Sequence, residues 1–174
     1  MNSRQAVVIV DAQVNMFDEK FSIFDGDRII SVLSNLIDKA RAKDVLVIYV
    51  RNNGGEGEPD EPGTPGWKIH PSITPQSNDV IIDKKGPDAF DNTNLENTLK
   101  KQGIGNLVIA GMQTEMCVES SSRRAIELGY KVTLVEDGHS TFNFDDLNAE
   151  DEISRVNSEM RAIAEVKTAD SIAF

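Results

Sequence analysis

Five short apolar runs rich in β-branched residues recur along the chain, and they constrain its fold more than any other feature. They are Ala6–Val10, Val45–Val50, Val80–Ile82, Leu107–Ala110 and Val132–Val135. Each is nearly continuous rather than alternating, which is the pattern of strands covered on both faces. Helical patterns lie between them. Ile29, Ile30, Leu33, Leu36 and Ile37 repeat at helical spacing, Asn92 to Gly103 and Glu115 to Gly129 each end at glycine, and Ile153, Val156, Met160, Ile163 and Ala164 form a fourth pattern. A last run, Lys167 to Ile172, reads as a final strand. Strand and helix therefore alternate throughout, which predicts an α/β fold: a parallel sheet with right-handed crossovers and helices on both faces. The exception is Arg51 to Trp67, rich in Gly, Pro and acids, and a loop of that length inside a compact domain is usually functional or disordered.

Size and charge narrow the possibilities. The 174 residues suit one domain, expected over 1–174, with a core that needs no staples. The formal net charge of −11 argues against a nucleic-acid or anionic-membrane partner, since both demand basic patches. The first apolar run is broken by Asp11, too early for a bilayer span or a signal segment, so a cytoplasmic location is expected. The one cysteine, Cys117, excludes an internal disulfide and points to a reduced compartment.

Ligands of open α/β sheets bind beyond the carboxyl ends of the strands. The polar residues that directly follow the runs are thus the ones to inspect: Asp11, Arg51-Asn52, Asp83-Lys84, Gly111 to Cys117, and Glu136 to His139. They bring a carboxylate, an ammonium and a thiol to one rim. A thiol attacks only as thiolate. Cys117, in the first turn of a predicted helix, is expected to be activated by the helix dipole, by Lys84, and by Asp11 as proton acceptor. Such activation predicts alkylation by iodoacetamide at pH 7 faster than for free cysteine. Each residue also has a plain reading: a small buried hydrophobe for Cys117, a helix cap or ribose binder for Asp11, a surface charge for Lys84.

Several segments carry a family resemblance. Val10-Asp11-Ala12-Gln13 with Phe17, Gly63-Thr64-Pro65-Gly66-Trp67-Lys68-Ile69-His70-Pro71, Lys84 to Phe90 with Thr93 and Leu95, Gly111 to Val118, and Asp137 to Phe142 occur in order. Together, across nearly the whole chain, they resemble the isochorismatase-like cysteine hydrolases. The resemblance implies a three-layer, Rossmann-like fold with a six-stranded parallel sheet. It implies a triad of Cys117 as nucleophile, Asp11 as general base and acid, and Lys84 as the cation between them. It further implies a cis peptide at Met112–Gln113, an oxyanion hole made by the backbone amides of Gln113 and Cys117, and assembly as a homo-oligomer, a dimer or larger.

The expected reaction is hydrolysis of a small-molecule amide or ureido C–N bond through a thioester, with no cofactor. Nicotinamidases of this superfamily carry a metal site of one Asp and two His. This chain reads Arg51-Asn52-Asn53 there and has no histidine between Asp11 and His70, so no metal is expected. Some true isochorismatases cleave a vinyl ether and lack the cysteine, so Cys117 favours amide chemistry over that alternative. Phe17, Trp67, Phe90 and Phe142 are candidates for an aromatic pocket wall, and Gln13 and Thr114 for support of the triad. His139 is expected to fix its strand-end loop. Two other classes compete: a phosphoacceptor receiver domain, which needs an acidic pair that Asp11 lacks, and a catalytically silent binding protein, against which the intact triad argues.

Overall fold

The computed structural model describes residues 4–174. Residues 1–3 of the expected domain lie outside the described residues. Six strands form one parallel sheet: β1 (Arg4–Val10), β4 (Leu46–Asn52), β5 (Val80–Lys84), β6 (Ile104–Met112), β7 (Lys131–Ser140) and β8 (Glu165–Lys167). Their order across the sheet is β5-β4-β1-β6-β7-β8, with every pairing parallel. Between β1 and β4 lie a two-stranded antiparallel hairpin of β2 (Phe17–Asp18) and β3 (Phe21–Ser22), and helix α1 (Gly26–Arg41). The remaining helices are α2 (Leu95–Lys101), α3 (Glu119–Glu127) and α4 (Ala149–Met160).

Residues one apart on a strand face opposite sides, and the core divides accordingly. Val7, Ile9, Val47, Tyr49 and Val108 bury one face against Ile29, Leu33, Leu36 and Ile37 of α1. Ala6, Val8, Val10, Ile48, Leu107 and Ile109 bury the other against Leu95 and Leu99 of α2, Ala125 of α3, and Val156 and Met160 of α4. Three layers result, and the apolar runs are continuous because both faces are covered. Each large aliphatic in these layers contributes about 2–5 kcal/mol, the usual cost of truncating one to alanine.

The final run behaves differently from expectation. The strand is Glu165–Lys167, and Ala169–Ser171 is a 3-10 turn whose Ala169 and neighbouring Ile172 pack on the α1 face. The β2–β3 hairpin was not expected. Its two-residue strands have too few alternating positions to register as a pattern. Among the described residues, no helix is long and apolar enough to cross a membrane.

The chain leaves β1 leftward to β4 and β5, then returns to place β6 on the other side of β1. The carboxyl ends of β1 and β6 therefore flank the reversal of strand order, where a crevice opens in folds of this kind. Gly111 makes the close approach there possible. Its φ is +126°, and a Cβ at this position would stand 2.0 Å from the Val10 carbonyl oxygen.

Candidate active site

Asp11, Lys84 and Cys117 converge at that crevice from three different elements. Asp11 follows β1 directly, with φ at 47° and its amide bonded to the Val50 carbonyl at 2.8 Å. Lys84 ends β5, two strands away, and only a long side chain spans that distance. Cys117 lies in the turn of π-helix, Thr114–Val118, that joins β6 to α3. The Met112–Gln113 peptide ahead of it is cis.

Lys84 Nζ sits 2.8 Å from Asp11 Oδ2 and 3.3 Å from Cys117 Sγ. It also donates to the Gly86 carbonyl at 2.8 Å and to Asn52 Oδ1 at 3.3 Å. Both charged side chains are sealed from solvent, at 1% exposure for Asp11 and 2% for Lys84. The second carboxylate oxygen, Asp11 Oδ1, is buried without a hydrogen-bond partner. A buried charge is costly unless compensated, and an ammonium whose three N–H groups share four acceptors, one of them a carboxylate, is such compensation.

The electrostatics reverse one expectation. Burial pushes the Asp11 carboxyl above its ordinary range, against the pull of Lys84. Burial lowers Lys84, but Asp11 and Cys117 outweigh it and the net direction is upward. The Cys117 thiol is pushed up to about 12, chiefly by burial and then by the Asp11 charge, with Lys84 opposing. The resting thiol is therefore neutral rather than pre-ionised. Helix position and a nearby ammonium do not suffice where the ammonium already serves a carboxylate. Alkylation faster than free cysteine is accordingly not expected.

Asp11 and Cys117 line a cleft of about 450 Å³, whose lining does not include Lys84. Its walls come from the hairpin, the long loop and the segments that follow β5, β6 and β7. Phe21, Met116 and Phe142 form one side, with Phe21 and Phe142 stacked at 4.6 Å. Glu58, Pro59 and Asp60, from the loop after β4, also contribute to the lining. That loop is tied down by backbone bonds: Val14 to Lys68, Asn15 to Gly66, and His70 to Ala12.

Of the candidate pocket residues, Phe142 lines this cleft, whereas Phe17, Trp67 and Phe90 do not. Phe17 packs on the His70 ring, Trp67 lies under the Arg51 guanidinium and donates to Asn53, and Phe90 packs on Tyr130. Their motif positions are right, but their rings satisfy local packing. Phe21, which no motif marked, takes the place beside Phe142. Gln13 stands one residue further back. Its amide donates to the carbonyls of Asn52 and Trp67 and accepts from the Asn52 amide, which holds the residue that receives Lys84.

Thr114 is fully buried and tied to His139. Asn157 Nδ2 donates to the Glu136 carbonyl, so its Oδ1 faces His139 Nε2 at 3.0 Å. Nε2 therefore carries the proton, and Nδ1 accepts from the Thr114 hydroxyl at 2.9 Å. Burial lowers the His139 pKa, keeping the ring neutral as this chain of bonds requires. Thr141 similarly donates to Glu115 at 2.9 Å. Two strand-end residues thus brace the segment that carries Cys117. Among the described residues, no group of three or more His, Cys, Asp or Glu side chains is arranged to hold a metal ion.

Fold and site together define an open parallel α/β protein with its polar centre at the carboxyl edge of the sheet. The family model described as the isochorismatase domain matches residues 5–169, so the chain belongs to the isochorismatase family. A crystal structure of an isochorismatase from Pseudomonas putida superposes with a TM-score of 0.91 at 28% identity, covering 98% of this chain and 90% of that one. Streptothricin hydrolase of Streptomyces noursei is 33% identical over 139 residues, which are 80% of this chain and 55% of that protein. The chain thus spans about half the length of that relative. A ureidoacrylate amidohydrolase of Agrobacterium fabrum is 31% identical over 172 residues, covering 78% of this chain and 75% of its own length.

Proposed function

We propose that the protein hydrolyses a small-molecule amide or ureido C–N bond through a Cys117–Asp11–Lys84 triad. The observation that carries this reading is the placement of one ammonium 2.8 Å from a buried carboxylate and 3.3 Å from the only thiol, at a cleft. The similarity to a ureidoacrylate amidohydrolase supports the amide class.

Because the thiol holds its proton up to about 12, proton removal accompanies attack rather than preceding it. Asp11 accepts the Cys117 proton as Sγ bonds to the carbonyl carbon, and its raised affinity for protons suits it to that task. The oxyanion is held by the backbone amides of Gln113 and Cys117. Donors of this kind are worth about 3–4 kcal/mol each in a protease where one was removed. Asp11 returns the proton to the departing nitrogen as the C–N bond breaks, leaving a thioester. Water then attacks that carbonyl, Asp11 takes a proton from it, and the thiol leaves re-protonated. Throughout, Lys84 keeps the carboxylate oriented and balances the negative charge that moves between oxygen and sulfur.

A vinyl ether is cleaved by delivering a proton to carbon and needs no thiol nucleophile, so the placement of Cys117 favours the amide reading. The test is ammonia release from a panel of small carboxamides and ureido acids. Cys117→Ala is expected to lose at least ~10³-fold in kcat, in line with removal of a covalent nucleophile. Turnover by Cys117→Ala at the parent rate overturns the triad.

A further inference from the structure

We propose that Ser121 is a positioning residue that sets Lys84 in place by gripping the loop after β5; this rests on the hydrolytic reading above and names what aligns its cation. Ser121 lies on α3, four residues beyond Cys117, and is 1% exposed. Its Oγ accepts from the Ala89 amide at 3.0 Å and donates to the Pro87 carbonyl at 3.2 Å. A serine hydroxyl has one proton to give and lone pairs to accept with, so both roles are filled at once. The neighbouring Ser122 is equally buried, yet its Oγ has no partner. Of two adjacent buried serines, one therefore joins the helix that follows the nucleophile to the loop that serves the cation. A further polar tie between them, Arg124 to Asp88, spans 3.8 Å between partly exposed side chains.

The loop serves the cation through Gly86, whose carbonyl accepts from Lys84 Nζ at 2.8 Å. Glycine leaves that peptide conformationally free, with no atom within 4 Å of where a Cβ would stand. What fixes it comes from the residues that follow. The ring of Pro87 locks its φ. Ser121 then holds the Pro87 carbonyl and the Ala89 amide, so the chain beyond Gly86 is clamped to α3. Thr93 Oγ1 donates to the Ala89 carbonyl at 2.6 Å, and the Phe90 amide to Asp88 Oδ1 at 2.8 Å. Those bonds lie inside the loop and shape it without anchoring it. Without the clamp, the Gly86 carbonyl drifts from Nζ. The N–H it releases turns to the remaining acceptors, Asp11, Asn52 and Cys117. Thiolate then becomes easier to form, while Lys84 loses the alignment that turnover needs.

Iodoacetamide alkylation of Cys117 is followed by mass spectrometry in the parent, Ser121→Ala, Ser121→Thr and Ser122→Ala, beside ammonia release from the amide that the parent cleaves best. Ser121→Ala should alkylate about threefold faster and lose about tenfold in kcat. Ser121→Thr keeps the hydroxyl and should return both toward the parent. Ser122→Ala, an equal truncation one residue on, should leave both unchanged. A residue that only packed α3 would lower the melting temperature and leave alkylation of the folded protein as it was. Unchanged or slower alkylation in Ser121→Ala therefore overturns the proposal, as does an equal response from Ser122→Ala. Native-state hydrogen exchange of the parent needs no variant to fold. The Ala89 amide should be as protected as the amides of α3, and exchange at the unprotected rate overturns the clamp. Alkylation requires no turnover, so a parent that releases no ammonia refutes the triad reading while the alkylation arm still decides the role of Ser121.

Discussion

Replacing Asp11 with Asn separates two quantities that a simple activated-cysteine picture binds together: alkylation rate and turnover. In the parent protein the thiol is pushed up to about 12. At pH 7.5 its thiolate fraction is then about 3 × 10⁻⁵, against roughly 0.1 for a free thiol near 8.5. A more basic thiolate is more nucleophilic, with a Brønsted slope of about 0.45, which recovers a factor of roughly 40. Iodoacetamide should therefore modify Cys117 about 10²-fold more slowly than free cysteine. Asp11→Asn removes the charge that, after burial, most raises the thiol. The ammonium of Lys84 keeps its acceptors on Asn52 and Gly86 and continues to oppose. The thiol moves back toward its ordinary range, and alkylation accelerates by about tenfold or more. Turnover moves the other way, falling by about 10²–10⁴, the usual contribution of a general base. The assay pairs mass-spectrometric alkylation kinetics with ammonia release on one preparation. The variant leaves Lys84 buried without its counter-charge, so its melting temperature is followed alongside; breaking such a pair costs about 3–5 kcal/mol. Slower or unchanged alkylation refutes the electrostatic argument, and hydrolysis within tenfold of the parent refutes the role of Asp11.

Three further outcomes are expected. Thr114→Val keeps the shape of the side chain but leaves His139 Nδ1 buried without its donor, which should cost about 1–3 kcal/mol. A calorimetric melt should then fall by about 2–4 °C per kcal/mol for a domain of this size, with kcat reduced as the Cys117 segment loosens. Because burial raises the Asp11 carboxyl, the acid limb of kcat/KM should lie above the ordinary aspartate value of about 3.9: activity is lost as pH falls through the raised value, and a limb at or below ~3.9 contradicts it. Gly111→Ala places a Cβ 2.0 Å from the Val10 carbonyl at a φ of +126°, so soluble yield or thermal stability should collapse; a parent-like melt contradicts the packing of β6 on β1.

The legible parts of this molecule are those that depend on a repeated physical requirement. Five of the six sheet strands announced themselves as nearly continuous apolar runs, and Ala6–Val10, buried at every position, shows why: a strand covered on both faces must be apolar throughout. Asp11 and Lys84 were legible for the complementary reason, since a charge directly after such a run stands at the edge where ligands bind. β8 was not legible. It is three residues long at the sheet margin, Glu165-Val166-Lys167, and its charged flanks mask it. Of the aromatic wall, only Phe142 reaches the cleft, and the reason is different. Phe17, Trp67, Phe90 and Phe142 all follow motif segments, but a ring's direction is set by tertiary partners such as His70, Arg51 and Tyr130, which no local spacing reveals. Phe21 sits in a hairpin of two-residue strands and had no signal at all.

The thiol's ionisation departs from what helix position and a nearby ammonium suggest. An ammonium lowers a neighbouring thiol only to the extent that its charge is not already matched. Here Asp11 stands at 2.8 Å from Lys84, nearer than Cys117 at 3.3 Å, so the ammonium and carboxylate form the ion pair and the thiol faces a nearly neutral unit. Burial then dominates, and the proton stays on sulfur. A buried ion pair of this kind adds little net stability, because desolvation offsets most of the attraction. What it provides is a carboxylate held charged and in place within a region where it would otherwise take up a proton. In the proposed mechanism that carboxylate is the group that removes the thiol proton as a carbonyl arrives. Under the proposed mechanism the arrangement would keep sulfur inert toward small electrophiles in solution and couple its activation to a substrate in the cleft. A nucleophile pre-ionised by its surroundings would lack that coupling, and the opposite responses expected of alkylation and turnover in Asp11→Asn follow directly from it.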